Sequence, residues 1–489
     1  MKRSFLFAGI ALISGPVMAQ TAPAQTAPAQ TAPAQTAPAQ TPPALPAPPI
    51  GSPKAFTVPA SETYTLPNGM QVTLVPYGNA PKVVVALQVY AGNLEEGRDV
   101  WLADLTGDML KEGAGTRDAS ALATAAAGIG GNLNVGVSPI GTSITLGALS
   151  EFTPAAVALV GDVARRPAFA ADAFDRVKAN RARSLTQALA QPGTLADYAL
   201  ARATYGDHPY GRQLPTPAQL GGYTLAQAKA FHAANFGARR SRLYIAGRFD
   251  AAAVKAAVAR AFGDWAAGPE RLSQVPTIAA GPRVLLIDRP GAPQSTLRLA
   301  WPSPLAGSAG DIPLRVANAL LGGSFSSRIT RNIREDKGYT YSPGSGIGQL
   351  PGTAQWAFEA DVTTTVTGAS LKEVFGEIRR LQTTPPTPEE AAGMRSYNAG
   401  LFVLRNSDSG SLINQLATRD ALGLPKDWLD RYVPATLAVS DAQFSSAVTQ
   451  ALPLDRFTLV VVGDLATVRP QLDALPELKG VPIQVVTVP

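Results

Sequence analysis

Two distant segments of this chain close in the same way. Residues 241–247 form an apolar run ending at Gly247 and lead into a helical pattern over 251–265; residues 457–463 end at Gly463-Asp464 and lead into 466–475. Each follows a stretch that opens on β-branched, alternating runs. The first opens with 62–66, the turn Pro67-Asn68-Gly69, then 71–75 and 82–89. An Asn-Gly step between two such runs is a hairpin signal. The second opens with 283–288 and 295–301, and in the first half apolar residues recur at helical spacing over 100–110, 119–127, 154–165 and 171–191. Strands that pair first, helices in a run and one returning strand predict an α+β fold. It has two homologous domains, each an antiparallel-rich β-sheet with helices packed on one face. Gly268-Pro269 and Gly281-Pro282 interrupt all periodicity between them, so the division is 56–267 for an N-terminal domain, 268–282 for a linker and 283–489 for a C-terminal domain.

With 489 residues, 46% of them hydrophobic, the chain can bury two sizeable cores. It has no cysteine, which excludes disulfides, thiolate metal ligation and an acylated N-terminal anchor. Basic residues come in pairs such as Arg165-Arg166, Arg239-Arg240 and Arg379-Arg380, never in longer runs. The net charge of +6 therefore does not point to nucleic acid.

Residues 1–19 have the layout of a signal peptide: Lys2 and Arg3, an apolar stretch over 5–13, and Val17-Met18-Ala19 before Gln20. That stretch is shorter than the ~20 residues needed to span a bilayer. The mature chain is expected to begin near Gln20 in the periplasm, with 40 basic against 36 acidic residues and no stable membrane insertion. From Gln20 the unit Gln-Thr-Ala-Pro-Ala repeats four times and a proline-rich run follows. Proline at that density blocks helix and central strand, so 20–55 reads as an extended linker. Two roles stay open, a spacer holding the folded part away from a surface and a solubilising tail.

His208 and His232 are the only histidines, so neither His-Glu-x-x-His nor its inverse exists. A catalytic zinc draws its protein ligands mainly from His and Cys, a shell this chain cannot supply alone. The Gly-x-Ser-x-Gly elbow and the phosphate-binding loop are also absent. His208, in His208-Pro209-Tyr210-Gly211, reads as a loop-ordering side chain or a lone metal ligand, and His232 as a helix-end residue. Residues 142–149 alternate as a strand, either an edge to which a peptide could add or an ordinary paired one.

Three blocks resemble the pitrilysin/insulinase family, the inverted-zinc metallopeptidases that include the mitochondrial processing peptidase. They are Asp288-Arg289-Pro290-Gly291-Ala292-Pro293-Gln294-Ser295, then residues 317–328 with Gly322-Gly323-Ser324-Phe325-Ser326-Ser327-Arg328, then Ile333-Arg334 through Gly338-Tyr339-Thr340-Tyr341-Ser342. The resemblance implies a zinc motif, His-x-x-Glu-His, on the helix after the opening strands. Here Asp104 and Asp108 stand in place of the two histidines and Gly107 in place of the general-base Glu. The family's third ligand would fall near Ser184 or Leu185, where no Glu is found. Gly107 has no side chain to take a proton, and two carboxylates without imidazole favour harder cations than zinc. At i, i+4 on one helix face, Asp104 and Asp108 are either solvated carboxylates or a magnesium or calcium site.

The resemblance also implies that an Arg and a Tyr of the second half bind the substrate backbone, and Arg334 and Tyr341 match that pair. A structural ion pair of Arg334 with Glu335 or Asp336 and a packed Tyr341 is the alternative. Arg328 and Arg331 are candidates to line the chamber or to act as caps and surface charges. Shorter family members complete a four-domain clamshell by pairing two chains, of which this chain would be half. The expectation is a noncatalytic subunit that binds peptide in trans to a zinc-bearing homologous subunit and holds no cofactor itself. The alternative is an inactive pseudoenzyme that binds peptides or scaffolds an envelope complex.

Overall fold

The computed structural model describes residues 56–279 and 281–488; the signal peptide and repeat-bearing linker assigned to 1–55 lie outside the described residues. The first half supplies β1 (Glu62–Thr65), β2 (Gln71–Pro76), β3 (Lys82–Val89), β4 (Leu133–Ser138), β5 (Gly141–Leu149) and β6 (Ser241–Gly247). The second supplies β7 (Arg283–Asp288), β8 (Gln294–Pro302), β9 (Gly344–Leu350), β10 (Thr353–Thr363), β11 (Thr458–Gly463) and β12 (Ile483–Val485). The two sheets run β1-β2-β6-β3-β5-β4 and β9-β10-β8-β11-β7-β12.

Five strands of each sheet follow one topology. In both, the closing strand lies between the first and second long strands of its half, parallel to the first and antiparallel to the second. Two further antiparallel strands extend the sheet on that side. Only the sixth differs: β1 joins β2 as a hairpin, whereas β12 joins β7 in parallel from the end of the chain. The similar ends seen in the sequence are thus equivalent strands of a duplicated unit. Residues 142–149 fall within β5, which is paired on both sides, and the sheet edge is β4.

The helices used below are α1 (Leu102–Met109), α2 (Thr153–Arg165), α3 (Ala171–Ala190), α4 (Pro192–Tyr205), α5 (Ala251–Phe262), α6 (Thr367–Thr383), α7 (Pro388–Leu404), α8 (Ser409–Ala421), α9 (Trp428–Leu437) and α10 (Asp441–Ala451). Strand alternation decides which faces they cover. In β3 every second residue from Val83 to Val89 is buried, and these pack with Leu105, Val160, Val258 and Phe262 from α1, α2 and α5. In the second half Leu297, Leu299, Trp301, Trp356 and Phe358 pack with Phe375 of α6 and Phe444 of α10.

Each half thus packs its own helices on one face of its sheet. The structure adds a layer from the opposite half on the other face. Val75, Tyr244 and Ala246 of the first sheet are covered by Phe402, Leu412, Leu416 and Leu429 of α7, α8 and α9. In return Leu195, Ala196 and Ala199 of α4 cover Leu285, Ile287 and Val460 of the second sheet. A carboxylate accompanies each crossing. Asp197 of α4 lies 2.6 Å from Arg298 of β8, and Asp420 of α8 lies 2.7 Å from Arg242 of β6. No helix among the described residues is long and apolar enough to cross a membrane.

Candidate functional site

The helix matched to the zinc motif is α1. Its entry residue, Trp101, has a left-handed φ of 70°, strained for any side chain but glycine. Glu96 holds this turn: its carboxylate accepts from the Trp101 and Ala103 N–H groups, both at 3.1 Å, and from Asn93 Nδ2 at 3.1 Å. The Trp101 indole donates to the Gln213 carbonyl at 2.9 Å. Asn93 also donates to Asp104 Oδ2 at 2.8 Å. Burial and the neighbouring Asp104 push the Glu96 carboxyl up to about 8, against its three donors. Burial likewise raises Asp104, with Arg181 and Asn93 opposing.

Between Asp104 and Asp108 lies the guanidinium of Arg181, delivered by α3. Arg181 Nε is 2.6 Å from Asp108 Oδ2 and Nη1 is 3.4 Å from Asp104 Oδ1, while Nη2 donates to the Asp104 carbonyl at 3.5 Å. The three side chains are only 22, 17 and 24% exposed for Arg181, Asp104 and Asp108. This differs from both sequence readings of the pair, which are neither solvated nor arranged around an open cation position. Lys111 adds a second cation to Asp108 at 3.0 Å. Zinc does not fit this arrangement: the donors are oxygen only and a fixed positive charge already sits between them. Gly107 cannot simply regain a general base, because a Cβ there would stand 2.5 Å from Val137 Cγ2 of β4.

His208 Nδ1 accepts the Tyr210 N–H at 3.2 Å, ordering its loop, and burial lowers its pKa. His232 Nε2 meets the Ala164 carbonyl at 2.8 Å. Arg328 is buried against Glu390, with contacts of 3.2 and 2.8 Å, so it is a structural ion pair.

Arg334 is carried by a wide π-helical turn, Arg331–Asp336, the kind of local widening often found at functional positions. Ile333 is fully buried and anchors the turn. Gly338, at φ 64°, reverses the chain after it, and Thr340 bridges to Val362 of β10. The neighbour, Tyr341, is therefore fastened at its base while the residue as a whole stays 76% exposed. The Arg334 guanidinium carbon lies 5.0 Å from the Tyr341 ring and 4.6 Å from that of Phe325, with Nε 3.2 Å from Glu335. The ion pair with Glu335 thus exists, but Tyr341 does not pack into a strand.

Two participants escaped the sequence reading. Arg181 lies one helical turn before Ser184 and Leu185, and its only signal was a basic residue on the helix expected to bear a ligand. Phe325 was visible as a lone aromatic in a Gly- and Ser-rich run.

The profile of the insulinase family, peptidase family M16, matches residues 72–218, and that of the peptidase M16 inactive domain matches 222–397. The chain belongs to this family of metallopeptidase-like proteins. An uncharacterised zinc protease of Mycobacterium tuberculosis is 28% identical over 356 residues, which is 71% of this chain and 78% of the relative. One from Mycobacterium leprae is 29% identical over 291 residues, 58% of this chain and 65% of the relative. The crystal structure of a peptidase M16 inactive domain from Pseudomonas fluorescens has the same fold. Its TM-score is 0.75 at 24% identity, covering 83% of this chain and 98% of that one. A protease from Helicobacter pylori gives 0.77 at 17% identity, covering 83% of this chain and all of its own.

Proposed function

We propose that this protein is the noncatalytic subunit of a periplasmic, two-chain zinc metallopeptidase. It binds and positions the peptide with Arg334 and Tyr341, while zinc and cleavage belong to a homologous partner. The observation that carries the reading is Arg334 in contact with two exposed aromatic residues, Phe325 and Tyr341. Two cation–π contacts restrain a guanidinium whose fork can donate to peptide carbonyls. The adjacent phenol can donate to charge developing on a carbonyl oxygen. Arg181 between Asp104 and Asp108 supports placing zinc and cleavage on the partner, because a cation already fills the space between those carboxylates.

The test is purification of the tagged full-length protein from its native periplasm, with mass spectrometry for partners and zinc determination on the eluate. A stoichiometric, zinc-bearing homologue is expected. In that complex Arg334→Ala and Tyr341→Phe should each lower kcat/KM by on the order of 10²-fold with assembly intact; unchanged activity removes the assigned role. A metal-free eluate without such a chain selects the pseudoenzyme reading, a peptide-binding or scaffolding protein of the envelope.

A further inference from the structure

We propose that Arg181 occupies, in this chain, the position a metal ion would take between the two α1 carboxylates, and that its guanidinium is what closes that position to zinc. Asp104 and Asp108 share one helix face at i, i+4, where two carboxylates repel one another and need a cation between them. α3 crosses that face and delivers one. Arg181 reaches both carboxylates and the Asp104 carbonyl at once through three different nitrogens, which suits the spread of donors on a planar guanidinium.

The surroundings fix it there. The Trp101 ring lies 5.7 Å from the guanidinium carbon, and Asn93 holds the other Asp104 oxygen at 2.8 Å. The group is largely withdrawn from solvent, so removing the guanidinium leaves Asp104 without a cation and Asp108 with only the more exposed Lys111. The inference concerns this chain alone and stands or falls independently of any partner or proteolytic activity.

The test rebuilds the ligands with and without the arginine. Asp104→His with Asp108→His places two imidazoles at i, i+4, a spacing that suits zinc. This double variant is compared with the same pair plus Arg181→Glu. The readouts are zinc per chain after dialysis and the zinc-induced change in thermal midpoint. With Arg181 present no zinc should be retained; with Arg181→Glu one zinc per chain should be retained and the midpoint should rise. Equal uptake by both variants, or none by either, overturns the proposal. Arg181→Gln in the otherwise native chain removes the charge while keeping a shorter polar side chain, and decides the matter should a histidine variant not fold. Its midpoint should fall by on the order of 5 °C, and a midpoint equal to that of the native chain overturns the proposal.

Discussion

The guanidinium carbon of Arg334 lies 4.6 Å from the centre of the ring of Phe325, a residue left 72% exposed. A side chain so exposed contributes little to folding, so its orienting effect on Arg334 can be isolated. Phe325→Ala should leave the thermal midpoint unchanged and lower kcat/KM of the proposed two-chain complex by about three- to fivefold, the loss of one exposed cation–π contact. Phe325→Trp should keep the activity. Steady-state kinetics of both variants checks this.

Restoring a carboxylate by Gly107→Glu should not create a peptidase. The new Cβ meets Val137 Cγ2 at 2.5 Å, and relieving that overlap should cost about 1–3 kcal/mol of stability. Denaturant unfolding would read the cost. A peptide-cleavage assay of the isolated variant should show none.

Glu96 should make the first half less stable as pH rises. Its carboxyl sits at about 8 in the fold against 4.5 for the free side chain, so across that window the native state holds the proton that the unfolded chain has released. The stabilisation is full below the lower value and lost as pH rises through the upper, with a slope of at most about 1.4 kcal/mol per pH unit. Glu96→Gln keeps the shape without the titration and should flatten that slope in unfolding curves taken between pH 5 and 8.

Asp420 fastens the two halves, and the cost of losing it exceeds that of losing any one partner. It accepts from Tyr244 at 2.8 Å and pairs with Arg242 at 2.7 Å and Arg419 at 2.8 Å. Asp420→Ala should cost about 3–5 kcal/mol, because it strands two guanidinium groups, and Tyr244→Phe about 1 kcal/mol. The double variant should cost less than their sum, which a double-mutant cycle in urea would measure.

Much of this architecture was legible along the chain. Strand alternation in 82–89 and the Asn68-Gly69 turn are local torsional and burial signals, and local signals survive in the folded protein. The two closing strands were recognisable as a pair for the same reason. The blocks carrying Arg334 and Tyr341 were also legible, because the spacing from Gly322 to Tyr341 is set within one contiguous turn-and-strand unit.

What the sequence left open were choices between partners. The amphipathic patterns of α4 and α8 require that each bury a face, yet nothing local says that α4 covers the second sheet and α8 the first. Residues 142–149 alternate equally well at an edge or inside a sheet, and only the pairing of β4 decides. Arg181 is the sharpest case: helical periodicity gives the direction of its side chain, but not that Asp104 and Asp108 wait there. Sequence by itself determined the elements, the duplication and the loss of the zinc ligands. Tertiary structure decided what stands in their place, because long-range contacts are selected by the summed burial and charge balance of whole surfaces rather than by any segment's own pattern.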